Sequence, residues 1–386
     1  MLKGWSAAAV AAALIVGPVA PATATGSVVD RATPPPVLSA VDLGPIVQNP
    51  HVLFRDGLES TEFHGASVWT FGDTGLNAPN AEGSNWDDNS LAYTTDLDGA
   101  DGLTLPHDAP ESAQGVPGEY LPFTRAEQAF NAAHSGSGGD CRVKPCGEQI
   151  ALWNGPEVAD PAEDRILFFY YELERGAPGQ QGWKSIGEGI ATWTPGHPVE
   201  RPIESPGAKV PTLMFGPDAI NFSNAALAVG DMMYAYGCTG VAVACDLARV
   251  PLADALDHAD WRYYTADGTW SPDVADAVPV VHGGSAGSSV YWVPYLHEYQ
   301  EVYMPPLSNE IVERVAPEPW GPWSAATEVM QTLPPAAGDV DYAGMAHPEF
   351  AQNDGRIQYV AYYHPLGPFS GEDRWVQITF GNPGSR

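Results

Sequence analysis

The sequence predicts an all-β protein built as one five-bladed β-propeller. Two observations predict this fold: short apolar strands recur along the chain, and they group into five units of similar order. The composition agrees, because 41 Gly, 37 Pro and 12 Trp with only 17% charged residues is typical of short strands joined by many turns. A pair of packed β-sheets is the alternative, but it does not explain five similar units.

The first residues have the pattern of an export signal. Lys3 supplies a positive charge, the apolar run from Ala7 to Ala20 is too short to span a bilayer, and Ala22-Thr23-Ala24 is a typical cleavage site. An uncleaved anchor is the alternative. We predict a secreted, extracellular protein with a signal peptide at 1–24, a stiff Pro-rich linker at 25–45 and one propeller domain at 46–386.

Apolar runs mark the predicted strands. Ala66–Phe71 alternates and stops at Gly72-Asp73, and Arg165–Tyr171 is a run of the buried type. Helical patterns are confined to Arg125–Ala133 and a short turn near 251–257. The remaining predicted strands are Met232–Tyr236, Val290–Val293, Glu301–Met304 and Ile357–Tyr363.

The strands fall into repeated units that end in a tryptophan-bearing or aromatic segment. Such four-stranded units are typical of propeller blades. The loop-rich segment 99–147 is longer than a connection needs to be, which favours a lid or rim over a site. Unit one begins near Asp56, and the other units are 150–193, 220–270, 288–323 and 342–380.

Charge and cysteines restrict the partners and the compartment. A formal net charge of −31 repels nucleic acid and anionic lipid but not a neutral ligand. We therefore expect no nucleic acid and, after signal cleavage, no membrane as a partner. The protein is also expected to be a monomer, and the groups at its strand starts lead us to expect a polysaccharide as its partner. Four cysteines at close spacings favour two local disulfides, Cys141–Cys146 and Cys238–Cys245, with a zinc site as the alternative reading.

In a propeller the first strand of each blade starts beside the central axis, so residues at the five starts converge. Carboxylates, amides, a tryptophan and a histidine are found there, and these groups can bind and hydrolyse sugars. Trp153 could instead be a core residue and His347 a structural one. The predicted substrate-binding residues are Arg55, Trp153, Asn154, Glu157, Asn221, Ser288 and His347.

Asp56 and Asp73 form the predicted catalytic pair. The chain leaves the axis after Asp56 and returns along Ala66–Phe71, which brings Asp73 to the same face. Glycoside hydrolysis needs one protonated and one ionised carboxyl. We expect Asp56 to be the base or nucleophile and Asp73, or an acid of unit two such as Glu148 or Glu157, the proton donor. A turn in which Asp73 bonds its own backbone is the alternative.

Other candidate groups carry weaker expectations. Glu298 and Glu301 are expected on an outward-facing turn, and Trp86 is a second candidate for stacking on a sugar ring. The acids of 96–101 faintly resemble a calcium loop, although a solvated turn is expected there. No cofactor and no catalytic metal are predicted, and no phosphate loop or nucleophile elbow is present in the sequence.

The string Arg55-Asp56-Gly57, followed by Ser67 to Thr74, resembles the opening of a family once labelled only as a domain of unknown function. That family includes actinobacterial endo-D-arabinanases, glycoside hydrolase family 183. Its pattern tends to Asp-Gly-Gly, whereas this chain has Asp56-Gly57-Leu58. Later segments are also similar: Tyr234–Gly237, Cys245–Val250, Ala316 with Gly321–Ser324, and Tyr359–Tyr363.

The resemblance covers about residues 50–380 and rests on the order of these segments. It implies a five-bladed propeller, a neutral furanose polymer as substrate, and acid catalysis at the first blade. Our leading hypothesis is therefore an endo-D-arabinanase with a catalytic domain at 46–386. The alternative is a non-catalytic propeller that binds carbohydrate or protein, which would not need two facing carboxyls.

Overall fold

A computed structural model of the protein describes residues 33–136, 140–176, 182–239, 243–285, 287–336 and 338–383. The predicted signal peptide at 1–24 lies outside the described residues. Within these ranges the chain is mostly β, and its strands form five large antiparallel sheets and one small sheet. None of the helices described is both long enough and apolar enough to pass through a membrane.

The N-terminal part of the chain supplies β1 and two sheets. Strand β4 has the bounds that the alternating pattern predicted, because five of its six side chains are buried. The elements are β1 (Val37–Pro45), a small sheet of β2 (Val52–Arg55), β5 (Thr74–Leu76) and β6 (Trp86–Asp87), and sheet 1 of β3 (Glu59–Phe63), β4 (Ala66–Phe71), β7 (Ser90–Thr94) and β8 (His107–Asp108).

Sheets 2, 3 and 4 follow one another along the chain and agree with the predicted units. Sheet 2 contains β9 (Gln149–Asp160), β10 (Arg165–Arg175) and β11 (Trp183–Trp193). Sheet 3 contains β12 (Ala225–Val229), β13 (Met232–Thr239), β14 (Ala244–Pro251), β15 (Arg262–Tyr264), β16 (Trp270–Ser271) and β17 (Pro279–Val281). Sheet 4 contains β18 (Ser288–Val293), β19 (Glu298–Tyr303), β20 (Glu310–Ala316) and β21 (Thr327–Gln331).

Sheet 5 combines the two ends of the described chain. Its strands are β22 (Tyr342–Ala346), β23 (Ile357–Gly367) and β24 (Ser370–Phe380), and β1 pairs with β24 as the outer strand. Residues 37–45 therefore form a strand, although they lie within the predicted linker. Most side chains of β1 are exposed, so this strand lacks the apolar alternation that marks strands in a sequence.

The first strands of successive sheets are neighbours. Strand β3 lies beside β9, β9 beside β12, β12 beside β18, and β18 beside β22. The last of these sheets also contacts the first, because Ser60 of β3 donates to Glu349 Oε1 at 2.6 Å and lies 2.7 Å from His347 Nδ1. Each large sheet is therefore in contact with the next one through its first strand, and sheet 5 also contacts sheet 1.

The apolar core is divided among the spaces between sheets. Leu152 and Val68 belong to a cluster between sheets 1 and 2, and three further clusters join sheets 2 and 3, 3 and 4, and 4 and 5. A fifth cluster, with Trp69 and Trp375, joins sheet 5 to sheet 1. Each large sheet therefore buries both faces, which explains why its strands have near-continuous apolar sequences.

Helix α1 (Arg125–His134) confirms the predicted helix and lies within the segment 99–147. Thr124 and Glu127 form a capping box at its start. Arg201 donates to Glu127 at 2.7 Å and to Glu172 of β10 at 2.9 Å, so a buried ion-pair network holds this segment against sheet 2. Single 3₁₀ turns occupy Leu252–Asp254, His258–Asp260, Val274–Asp276, Pro348–Phe350 and Asn353–Gly355.

Both predicted disulfides are confirmed. Cys141 bonds to Cys146 within the segment that carries α1, and Cys238 bonds to Cys245 across the facing ends of β13 and β14. The zinc reading of these cysteines is wrong, because all four sulfurs are used in disulfides.

Buried carboxyl groups lead to a prediction about pH. Burial raises the pKa of Glu188 and of Glu313 to about 8 each. Each group then binds a proton more tightly in the folded chain than in the unfolded chain, so its contribution to stability is lost as pH rises. We expect the melting temperature to fall by several degrees between about pH 5 and about pH 8.

Melting curves followed by circular dichroism across this range test the expectation. The variants Glu188→Gln and Glu313→Gln should flatten the pH dependence, since they remove the titrating groups. A melting temperature that rises across the same range would contradict it.

Candidate active site

The candidate site begins at the turn from β2 to β3. Asp56 follows the last residue of β2, and Gly57 and Leu58 reverse the chain with φ angles of +101° and +49°. The carbonyl of Asp56 accepts a hydrogen bond from the backbone N–H of Gly72 at 2.7 Å. This bond places Asp56 beside the turn between β4 and β5, where Asp73 is located.

The structure therefore brings Asp56 and Asp73 together. A Cβ atom on Gly72 would lie 2.8 Å from Asp56 Oδ1, so the Asp56 carboxyl lies directly against the residue that precedes Asp73. The negative charge of Asp73 also acts on Asp56 and helps to raise its pKa. Both side chains are partly open to solvent.

Asp73 is held by cationic and indole donors. Arg175, the last residue of β10, donates from one guanidinium nitrogen to both carboxylate oxygens of Asp73, at 2.8 and 2.9 Å. The indole N–H of Trp153 donates to Asp73 Oδ1 at 2.9 Å. Arg175 also forms an ion pair with Asp88, so one guanidinium joins two carboxylates. Asp73 therefore accepts hydrogen bonds from residues outside its own turn, so the alternative of a purely local turn does not account for its contacts.

Asp56 has a different environment. Tyr342 donates its hydroxyl to Asp56 Oδ2 at 2.7 Å. Burial and the nearby charge of Asp73 outweigh this bond and raise the pKa of Asp56 to about 7. Burial also raises the pKa of Asp73, but Arg175 and Trp153 oppose that rise. A single proton shared by the pair is consequently favoured on Asp56.

Two further acids, Asp88 and Glu119, lie beside Arg175. Burial raises the pKa of Asp88 to about 7, with Arg175 acting in the opposite direction. Glu119 accepts a hydrogen bond from the Asp88 backbone N–H at 3.1 Å, and burial raises the pKa of Glu119 to about 8. The cation of Arg175 is therefore enclosed by carboxyl groups, and those with raised pKa values add little negative charge at neutral pH.

Asn154 supports the turn that presents Asp56. Its amide donates to the Thr70 carbonyl at 3.1 Å, and its side-chain oxygen would lie 2.5 Å from a Cβ on Gly57. Only a glycine fits this close approach and the positive φ together. Asn154 is thus a neighbour of the pair, as predicted, and it packs beneath the Asp56 turn.

Replacing Gly57 by alanine is expected to destabilise the fold by about 1–3 kcal/mol and to displace Asp56. The new Cβ would meet Asn154 and the backbone nitrogen of Gly72, which lies 2.9 Å away. Gly44→Ala is the matched control, because Gly44 has a φ of +106° but has no atom within 4 Å of its Cβ position. Urea unfolding compares the two, and equal losses would contradict the packing explanation.

Four predicted substrate-binding residues are buried, unlike Asp56 and Asp73, which are partly open to solvent. Arg55 is fully buried, lies over the Phe71 ring and forms an ion pair with Asp108 at 2.8 Å. His347 is fully buried between Ser60 and the Trp69 ring, and burial lowers its pKa to about 3. The other two, Glu157 and Ser288, are also buried.

Depth along the interior explains this difference. The sequence pattern predicts that every strand start lies near the propeller axis, but a residue at such a start can be either open to solvent or deeply buried. Burial raises the pKa of Glu157 far above its usual range, with Thr70 acting in the opposite direction. Asn221 is half-buried, and its side chain accepts the Ser223 backbone N–H at 3.0 Å.

The other acids considered from the sequence lie elsewhere in the structure. Glu148 faces helix α1, with its carboxylate 3.3 Å from His134 Nδ1. The expectation of an outward-facing turn is wrong for Glu301, which is buried in β19 and pairs with Arg314 at 3.0 Å. In the possible calcium loop, Asp96 and Asp98 accept backbone N–H groups two residues ahead. Among the described residues, no group of three or more His, Cys, Asp or Glu could hold a metal.

A cleft of 1620 Å³ extends outward from Arg175. The segment 99–147 forms one wall of this cleft, in agreement with the predicted rim. Trp86 and Asp88 form part of the opposite wall, where the cleft meets the candidate site. Sequence reasoning missed Arg175 and Asp88 as site residues, because neither is at the start of a predicted blade.

The protein is similar to known proteins over part of its sequence and in its fold. Residues 181–364 match a family model described as "Domain of unknown function (DUF4185)". A crystal structure of a provisionally assigned hydrolase from Bacteroides ovatus ATCC 8483 matches with a TM-score of 0.56 and 12% identity, over 84% of this chain and 85% of that chain. This likeness shows the fold and nothing more. No curated protein matches the chain.

Other solved structures that are similar to the chain are glycoside hydrolases. A GH43_1 enzyme from Xanthomonas citri has a TM-score of 0.49 and 12% identity, over 91% of this chain and 95% of that chain. A family 117 glycoside hydrolase produced by the marine bacterium Zobellia galactanivorans has a TM-score of 0.47 and 10% identity, over 87% and 89% of the two chains.

Proposed function

We propose that this protein is a secreted glycoside hydrolase that cleaves an extracellular polysaccharide, with D-arabinan as the leading substrate. The observation that carries the proposal is the pair Asp56 and Asp73. One carboxyl is held by Arg175 and Trp153, and the other has a pKa raised to about 7. Two carboxyls in unequal environments are what glycoside hydrolysis requires.

The five large sheets are proposed to be the blades of a β-propeller. The neighbouring first strands and the apolar cluster between sheets 5 and 1 support this architecture. The match of residues 181–364 to a family of unknown function agrees with the resemblance found in the sequence. Pairing of β1 with β24 would join both ends of the chain in the last blade.

The environments favour Asp56 as the proton donor and Asp73 as the ionised partner. This reverses the roles expected from the sequence. In the proposed step Asp56 gives its proton to the glycosidic oxygen, and the bond from that oxygen to the anomeric carbon breaks. Water then bonds to that carbon while Asp73 takes up its proton; if Asp73 itself bonds to the carbon instead, water releases the sugar in a second step and returns a proton to Asp56. Tyr342 would stabilise the Asp56 carboxylate left behind, because its hydroxyl already donates to Oδ2.

The charge around the site favours a neutral polymer. Arg175 is compensated by Asp73 and Asp88, and the whole chain has a net charge of −31. An anionic polysaccharide would be repelled, whereas the hydroxyl groups of an arabinan can bond to carboxylates without an adverse charge. This reasoning and the sequence resemblance together make D-arabinan the first polymer to test.

The test is incubation of the purified secreted chain with D-arabinan, L-arabinan, xylan and galactan, followed by chromatography of the products. We expect short oligosaccharides from D-arabinan. Release of products from another neutral polymer would correct the substrate but keep the hydrolase. Binding to a polymer with no product from any of them would overturn the proposal in favour of a carbohydrate-binding propeller.

A further inference from the structure

Four aromatic side chains form two edge-to-face pairs at the candidate site, and these pairs are connected through Arg175. The ring centroids of Phe369 and Trp86 are 5.9 Å apart, and those of Trp153 and Trp183 are 5.6 Å apart. The Arg175 guanidinium joins the two pairs, since its carbon lies 5.7 Å from the Trp86 ring and 5.9 Å from the Trp153 ring. We call Phe369, Trp86, Trp153 and Trp183 the aromatic line.

The two ends of the aromatic line are open to solvent. Trp183 is 52% exposed and Phe369 is 59% exposed, whereas Trp86 and Trp153 are half-buried. Trp183 starts β11 in sheet 2, and Phe369 lies in the turn between β23 and β24 of sheet 5. Two separate sheets therefore each present an exposed ring next to a half-buried indole that contacts Arg175.

The acid pair lies beside the middle of this line. Trp153 donates to Asp73, and Arg175 binds Asp73 while it contacts both central indoles. A chain bound along the line would thus extend past Asp73 in both directions. The faces of sugar rings are apolar and pack against aromatic faces, which suits a neutral polysaccharide.

We propose that the aromatic line binds a neutral polysaccharide chain on both sides of the cleaved bond, with Trp183 and Phe369 as the outer contacts. The inference rests on the proposed function and adds to it the residues that would hold the chain on both sides of the cleaved bond, as an endo-acting enzyme requires. An enzyme that cleaves only at the end of a chain would need contacts on only one side of the cleaved bond. The cleft of 1620 Å³ continues from Trp86 and Arg175 to Gly182, next to Trp183, and gives a long chain further room.

The test measures binding and hydrolysis separately. In the Asp56→Asn background, Trp183→Ala and Phe369→Ala are each expected to weaken binding of D-arabinan about tenfold, as judged by affinity electrophoresis in gels that contain the polymer. Trp292→Ala is the matched control, because Trp292 is 43% exposed on sheet 4 and packs against Tyr299. It is expected to bind like its parent.

The hydrolysis measurements use the same substitutions with Asp56 intact. Loss of kcat/KM should be larger for long than for short arabino-oligosaccharides in both variants. An effect confined to Trp183 or to Phe369 would overturn binding on both sides, and two variants that behave like Trp292→Ala would overturn the aromatic line altogether.

The outcomes also separate this inference from the proposed function. Hydrolysis by the unaltered chain without any effect of the two substitutions refutes the aromatic line alone. Polymer binding that depends on both rings, with no hydrolysis, refutes the hydrolase and keeps the binding surface. Absence of binding and of hydrolysis with every polymer of the panel would refute both.

Discussion

Replacement of Asp56 by asparagine is expected to lower the rate of D-arabinan hydrolysis by about 10³-fold, because an amide cannot give the proton that the leaving oxygen needs. The side chain keeps its size, and its amide oxygen can still accept the Tyr342 hydroxyl, which now bonds Oδ2 at 2.7 Å. The fold should therefore be retained. Reducing-end release from the polymer measures the effect.

Glu328→Gln is the control for this substitution. Glu328 is an exposed acid on β21, the outer strand of sheet 4, so its replacement also removes one negative charge. We expect its activity to equal that of the unaltered chain. Full activity in Asp56→Asn would remove Asp56 from the mechanism, and unfolding of that variant would be visible in its melting curve.

Replacement of Arg175 by methionine should have the second large effect. It would leave Asp73 and Asp88 without their shared cation, and because these ion pairs are only partly buried we expect a loss of about 1–3 kcal/mol. The pKa of Asp73 would rise further, since Arg175 opposes the effect of burial. We expect both the free energy of unfolding and the activity at neutral pH to fall.

Arg374 provides the comparison for Arg175. It also joins two carboxylates, those of Asp42 and Glu372, but these partners are more exposed than Asp88. Arg374→Met should therefore lose only about 1 kcal/mol or less. Arg175→Lys should restore part of the activity by retaining the charge. Urea unfolding and rates measured at several pH values distinguish these variants, and equal losses for Arg175→Met and Arg374→Met would contradict our interpretation.

Local sequence patterns predicted the strands and the acid pair well. Strand β4 could be read from the alternation of Ala66–Phe71, and the turns that flank it place Asp56 and Asp73 at neighbouring positions. Each of these inferences depends on residues close together in the chain. An antiparallel return is a local event, so period and turn residues are enough to predict it.

Distant contacts could not be predicted in the same way. Arg175 reaches Asp73 across 102 residues and Tyr342 reaches Asp56 across 286 residues. Nothing in the sequence near these residues indicates which neighbouring sheet their side chains face. Trp183 and Phe369 were also missed, because an exposed aromatic residue leaves no periodic pattern in the sequence.

How deeply a side chain is buried was the second property that could not be predicted from the sequence. Arg55 is adjacent to Asp56 in the chain. Its side chain is nevertheless buried against Phe71 and Asp108, whereas Asp56 is partly open to solvent. Successive side chains of a strand point in opposite directions, so a residue beside a site residue commonly faces the interior. His347 is a similar case, since it stacks on Trp69 inside the fold.

The pH dependence of kcat/KM for D-arabinan tests the central claim most directly, because it depends on which carboxyl holds the proton. With Asp56 protonated and Asp73 ionised in the active form, activity should fall as pH rises through about 7, the raised pKa of Asp56. It should also fall in acid, where Asp73 takes up a proton. Activity that stays constant or increases between about pH 6 and about pH 9 would contradict Asp56 as the proton donor.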